Sequence, residues 1–263
     1  MLAQLLTLVL LFPPPLAGSA GQAAQAGSPA FEVVTIKRNL SGEGGSIGMQ
    51  PGGRFRAVNT TLQFIISTMY RMPGGPRLFA SQILGLPDWA TTDRYDMVGK
   101  VADQFTGQSA QQQFRNMAPM VQAMLEDRFK LKVHRDTQPM PVFALVRDAK
   151  GGALGPKLRP TKTDCRAEPD KCRIESSPGH YSAVGMTMPN ILIVLSNNAE
   201  RVVIDHTGLT GSYDIDLDWA TDAGSDKPSF FTAVQEQLGL KMEFRREPVD
   251  VVIVDHVERP AED

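Results

Sequence analysis

Nothing in this 263-residue sequence constrains its fold more than an internal repeat. Arg54-Phe55-Arg56-Ala57-Val58-Asn59-Thr60-Thr61-Leu62 aligns with His180-Tyr181-Ser182-Ala183-Val184-Gly185-Met186-Thr187-Met188. Both stretches run into a helical pattern. Leu62, Ile65, Ile66 and Met69 stand opposite Met188, Ile191, Leu192 and Leu195, and their spacing puts four apolar side chains on one helical face. Thr61 and Thr187 are natural N-caps for these helices, and Pro189 falls in a first turn, where its missing N–H costs little. Tyr95-Asp96-Met97-Val98 then faces Tyr213-Asp214-Ile215-Asp216 as a strand. A second helix, Phe114 to Arg128, faces Ser229 to Gln237. Phe129–Val133 faces Leu238–Met242, and Met140–Val146 faces Val249–Asp255, as two closing strands.

This order, β-α-β-β-α-β-β taken twice, predicts an α+β protein of two tandem units, each a small sheet with two helices on one face. The first unit spans 27–149 and carries an extra strand at Phe31–Lys37, where apolar and polar residues alternate. A linker at 150–178 holds Gly151-Gly152, several prolines and both cysteines; the second unit spans 179–263. The first copy is longer because of loops, at Met72–Pro76 and Asp103–Ala110, and Ser41–Gly53 is glycine-rich enough to read as a loop as well.

Residues 1–26 read as a signal peptide. An apolar run from Leu5 to Phe12 is too short to span a bilayer, and small residues follow it. Ala24-Gln25-Ala26 offers cleavage after Ala26, with Ala20 as second choice, although no Lys or Arg precedes the run. Export implies a periplasmic or secreted protein, and there the only two cysteines, Cys165 and Cys172, are expected to form a disulfide. No later segment is apolar enough to cross a membrane.

The formal net charge of −2 lacks the basic field of a nucleic-acid binder, and 7% aromatic residues leave few rings for base stacking. There is no G-x-S-x-G elbow, H-E-x-x-H helix or phosphate-binding loop, and no cofactor or metal is expected. Two phrases end alike: Val202-Val203-Ile204-Asp205-His206 and Val252-Ile253-Val254-Asp255-His256. Asp205, His206, Asp255 and His256 could form an acid/base or metal cluster. As strand ends they could equally serve turns, because neighbours on a strand point to opposite faces. Trp89 and Trp219 could anchor a partner or fill a core. Asp214, Asp216 and Asp218 alternate, as on a solvated strand face.

Several stretches together resemble a known family. They are Phe31-Glu32-Val33 with Ile36-Lys37, Pro87-Asp88-Trp89, Arg128-Phe129-Lys130-Leu131 with His134-Arg135, Leu209-Thr210-Gly211-Ser212-Tyr213-Asp214, Gln235-Glu236-Gln237-Leu238-Gly239-Leu240, and Val254 to Pro260. The chain resembles the soil-associated family of uncharacterised exported proteins abundant in Acidobacteria. The resemblance implies export and supplies no catalytic residues. The repeated unit is also similar in element order to the short N-terminal domain of secretins and TonB-dependent receptors, a periplasmic contact module. The duplication, the export signal and the lack of a catalytic signature lead to the expectation of a non-catalytic binding module of the bacterial envelope, taking an envelope protein or small ligand at an open sheet edge or in a cleft between the copies. The rival is a hydrolase or metal-dependent enzyme built on His206 and His256.

Overall fold

The computed structural model describes residues 30–42, 45–50, 54–71, 75–101, 110–148, 153–165, 167–222, 224–261 and 263. The expected signal peptide lies outside the described residues, as does most of each of the two loop insertions.

The fold is α+β. Its first half runs β1 (Val33–Arg38), β2 (Ser46–Gln50), β3 (Arg54–Thr61), α1 (Leu62–Met69), β4 (Ile83–Leu84), α2 (Asp88–Thr92), β5 (Arg94–Lys100), α3 (Ala110–Arg128) and β6 (Lys132–Arg147). The second half runs β7 (Leu158–Pro160), β8 (Ile174–Ser177), β9 (His180–Thr187), α4 (Met188–Ala199), β10 (Val203–Asp205), β11 (Ser212–Asp218), α5 (Phe230–Leu238) and β12 (Leu240–His256). Apart from the short α2, the halves carry the same elements in the same order. The sheets match too: β1-β5-β3-β2 in the first half, β7-β11-β9-β8 in the second.

Three expectations change here. The segment 150–178 is more than a linker, because it supplies β7 and β8, the two edges of the second sheet. The strand near Phe31–Lys37 is not an extra of the first copy but the counterpart of β7. The loop at Ser41–Gly53 contains β2. Without these edges, the central strands would present rows of unpaired backbone groups. β7 and β8 are short, and β8 is exposed at every position, so neither carries an alternating pattern to detect. The chain between β7 and β8 passes from one edge of the sheet to the other. The Cys165–Cys172 disulfide (1.98 Å) closes a loop within that crossing.

A repeated device fixes the centre of each sheet. Asn59 in β3 and Gly185 in β9 both take positive φ, 48° and 74°, at an irregularity in the strand. Each N–H donates to the aspartate aligned in the repeat: Asn59 to Asp96 Oδ1 (2.8 Å) and Gly185 to Asp214 Oδ1 (3.0 Å). The neighbouring Tyr95 and Tyr213 turn inward and are buried. This is why Tyr-Asp recurs.

The largest departure concerns the closing strands. Each expected pair is one long strand, and β6 and β12 pair antiparallel along their whole length. Pro139 sits opposite Pro248. These two prolines also correspond in the repeat, so a pseudo-twofold axis passes between them. The Pro139 carbonyl turns outward to accept from the Arg246 guanidinium (3.0 Å), as at a pair where neither residue donates to the other. Proline's missing N–H is harmless there.

Beyond the axis each strand enters the other half. Val252 and Val254 of β12 lie in the first core with Phe55, Ile65 and Phe129. Leu145 of β6 lies in the second core with Ile191, Leu217 and Leu238. β4 pairs in parallel with β12, and β10 with β6, giving a shared sheet ordered β10-β6-β12-β4. The two copies have thus exchanged their last strands.

Candidate functional site

A cavity of about 330 Å³ opens beside the pseudo-twofold axis. One wall is the first copy's segment 75–79 with Gln82. Opposite stand Pro189, Leu192, Ile193 and Ser196 of α4, with Val203 of β10; Pro248, Val249 and Asp250 of β12 close it. Both copies and an exchanged strand therefore build it.

Its polar groups are largely committed to the fold. Gln82 Oε1 accepts from the Phe79 N–H (3.0 Å), while Nε2 donates to the Asp250 carbonyl (2.9 Å). Ser196 Oγ accepts from the Val203 N–H (3.0 Å). The Leu78 N–H donates to the Ser67 carbonyl (2.8 Å), tying the segment to α1. Arg77 lies over the Phe64 ring at 5.4 Å. What remains is an apolar lining from proline, leucine, isoleucine and valine, suited to a small apolar molecule.

These residues were legible in part. Pro189, Leu192, Ile193 and Ser196 repeat the i, i+3, i+4, i+7 spacing one position beyond the stripe that faces the core. A helix apolar over so wide an arc buries more than one face.

The sequence profile of a family described as a protein of unknown function (DUF3738) matches residues 63–257. The chain belongs to the DUF3738 family. No curated protein and no solved structure matches it.

In this DUF3738 protein the two Asp-His phrases do not converge. Asp205 Oδ1 accepts from the N–H (2.8 Å) and hydroxyl (2.7 Å) of Thr207, a local turn. His206 Nε2 meets Glu247 Oε2 at 2.9 Å. Asp255 meets His134 Nδ1 at 2.9 Å, and His256 Nε2 meets Glu258 Oε1 at 2.8 Å. The His206 N–H bonds the Leu145 carbonyl, whereas His256 lies opposite Lys132. Those contacts sit at opposite ends of β6, on the order of 40 Å apart along the strand. A single site using both histidines is therefore not assembled.

Nor do the tryptophans meet. Trp89 belongs to α2, packs on the first core and lies under the Arg259 guanidinium at 5.1 Å. Trp219 packs on the second core, edge-on to Phe230 at 5.5 Å.

One cluster in the DUF3738 fold went unread in the sequence as a group. His180, Asp216 and Asp218 bring ligand-type atoms within 4.8 Å of one another. Lys157 Nζ lies 2.7 Å from Asp218 Oδ2 and 3.2 Å from Asp216, and Lys227 Nζ lies 3.1 Å from Asp218 Oδ1. Two ammonium groups already balance the two carboxylates, so a metal ion would have to displace them. The Lys157 hydrogen bond above all, then those of Lys227 and His180, holds the Asp218 carboxyl well below the usual carboxylate range. The arrangement is an ion-pair network bracing the end of β11.

Proposed function

We propose that this protein is a non-catalytic binding module of the bacterial envelope, exported to the periplasm or beyond, and that it takes a small apolar ligand in the seam between its two copies. The observation that carries this reading is the cavity beside the axis, where segments remote in sequence converge on apolar walls. The Cys165–Cys172 disulfide supports an oxidising compartment. The apolar run at Leu5–Phe12 supports export.

The test pairs an environment-sensitive apolar dye with the Ile193→Trp variant, whose larger ring would fill the cavity. Wild type is expected to bind the dye saturably and to release it to short aliphatic competitors, while the variant stays folded and binds at least about tenfold more weakly. Equal binding by both, or none by wild type, would contradict the seam as the site. Turnover by the purified protein would contradict a purely binding role.

A further inference from the structure

A second cavity, of about 560 Å³, lies wholly within the second copy and away from the seam. It is framed by the β8–β9 turn, the C-terminal half of α4 and the chain leaving β11.

The sequence builds this frame through Pro178-Gly179. Proline presets the first turn position, and Gly179 takes the positive φ (74°) that the second needs. The turn is locked onto Trp219: the Trp219 N–H donates to the Gly179 carbonyl at 3.0 Å. A Cβ on Gly179 would come within 2.6 Å of the Trp219 carbonyl oxygen, so glycine is required there for the close approach as well. Trp219 stands where the repeat places Val101 in the first copy. The aromatic wall is thus a feature of the second copy alone.

The lining has a consistent chemistry. Trp219 and Tyr181 contribute rings, while Ser176, Ser177, Asn197 and Thr221 contribute hydroxyl and amide groups. Asn198 spends its Nδ2 on the Val194 carbonyl (2.9 Å), leaving its carbonyl oxygen to accept. Among the described residues, no charged side chain lines the cavity. Lys227, whose ammonium reaches the Gly179 carbonyl at 3.4 Å, is offset by Asp218 at 3.1 Å. In the seam cavity the polar side chains hold the fold together; here, among the described residues, those of Ser176, Asn197 and Thr221 make no hydrogen bond within the fold.

Neutral donors and acceptors beside an aromatic face suit a ligand that is itself neutral, rich in hydroxyls and apolar on one side. A phosphate or carboxylate ligand would find only the Lys227 ammonium, which Asp218 already balances, and a purely apolar one would strip water from these polar groups without replacing their hydrogen bonds. We infer that this cavity is a binding site for a neutral saccharide, stacked on Trp219 and hydrogen-bonded by Asn197, Asn198 and Ser176, the serine that shares the face of its cross-strand partner Tyr181.

The test uses the full chain carrying Trp89→Phe, so that Trp219 is the sole tryptophan reporter. Cellobiose, maltose and N,N′-diacetylchitobiose are titrated by fluorescence and calorimetry, with glucose 6-phosphate as charged control. At least one neutral disaccharide is expected to bind saturably and shift Trp219 emission, and the phosphorylated sugar is not. Asn197→Leu, an exposed change that leaves the core intact, should weaken binding about tenfold or more; Trp219→Ala should abolish it. If none of the three disaccharides binds, or if Asn197→Leu binds as wild type does, the assignment is wrong. Followed by calorimetry, the seam variant Ile193→Trp should leave saccharide binding unchanged, so the two sites stand or fall separately.

Discussion

At the residue scale, the repeat works as a set of backbone solutions found twice. Lys130 and Gly239 occupy the same place after the second helix of each copy, and both adopt positive φ, 52° and 69°. Glycine bears this conformation without cost, whereas lysine is strained by about 1 kcal/mol. Lys130→Gly should therefore raise stability by roughly 0.5–1 kcal/mol in urea unfolding, since its Asp127 ion pair is exposed and contributes little. Gly239→Ala should lower stability by more than about 1 kcal/mol, because a Cβ there would meet the Ala153 carbonyl oxygen at 2.7 Å. Asp214 makes a charge-assisted bond to the Gly185 N–H, so Asp214→Ala should cost on the order of 1.5–3 kcal/mol. Asp218 adds a pH dependence. Its carboxyl is depressed in the folded chain, so the stability it contributes is present above the ordinary aspartate range near about 4 and is lost as pH falls below it. The urea-midpoint gap between wild type and Asp218→Asn should be wide at pH 7 and narrow steadily below pH 4. A gap independent of pH would contradict the ion-pair network.

At the element scale, sequence legibility followed burial. The two helices of each copy and the strands at Tyr95 and Tyr213 announce themselves because one face is apolar at a fixed period. β7 and β8 do not: they are short, rich in polar residues and pinned by partners rather than by their own pattern. The Asp-His phrases misled for the opposite reason. Their apolar runs reflect burial in the shared sheet, and their polar ends then find whichever partner is local. The disulfide belongs to this scale, since it closes a small loop in the crossing between the two edges of the second sheet. Constraining so short a loop is worth roughly 2–3 kcal/mol. Cys165→Ala together with Cys172→Ala should lower stability by about that amount and speed hydrogen exchange in β8 and β9 while sparing β3 and β5. Uniform loss of protection across both sheets would show that the bridge acts globally.

At the scale of the whole molecule, tandem units are the natural reading of a repeat, and nothing local in the sequence says that their last strands change places. The clue lay in Pro139 and Pro248. Each interrupts a run of strand residues and so suggests a break, yet the two prolines are tolerated together because they face each other across the axis. Only the tertiary pairing reveals that. The exchange makes each core depend on the other copy's strand, and it creates the seam in which the apolar cavity lies. It follows that residues 27–149 should not fold alone as a monomer, for they lack Val252 and Val254 and hold Leu145 with no core to enter. The most direct test is to purify that fragment and record its amide spectrum and its mass by light scattering, alone and mixed with residues 150–263. The exchanged-strand account predicts a poorly dispersed chain or a self-exchanged dimer when alone, and a well-dispersed one-to-one complex on mixing. A folded, dispersed monomer of residues 27–149 would contradict it.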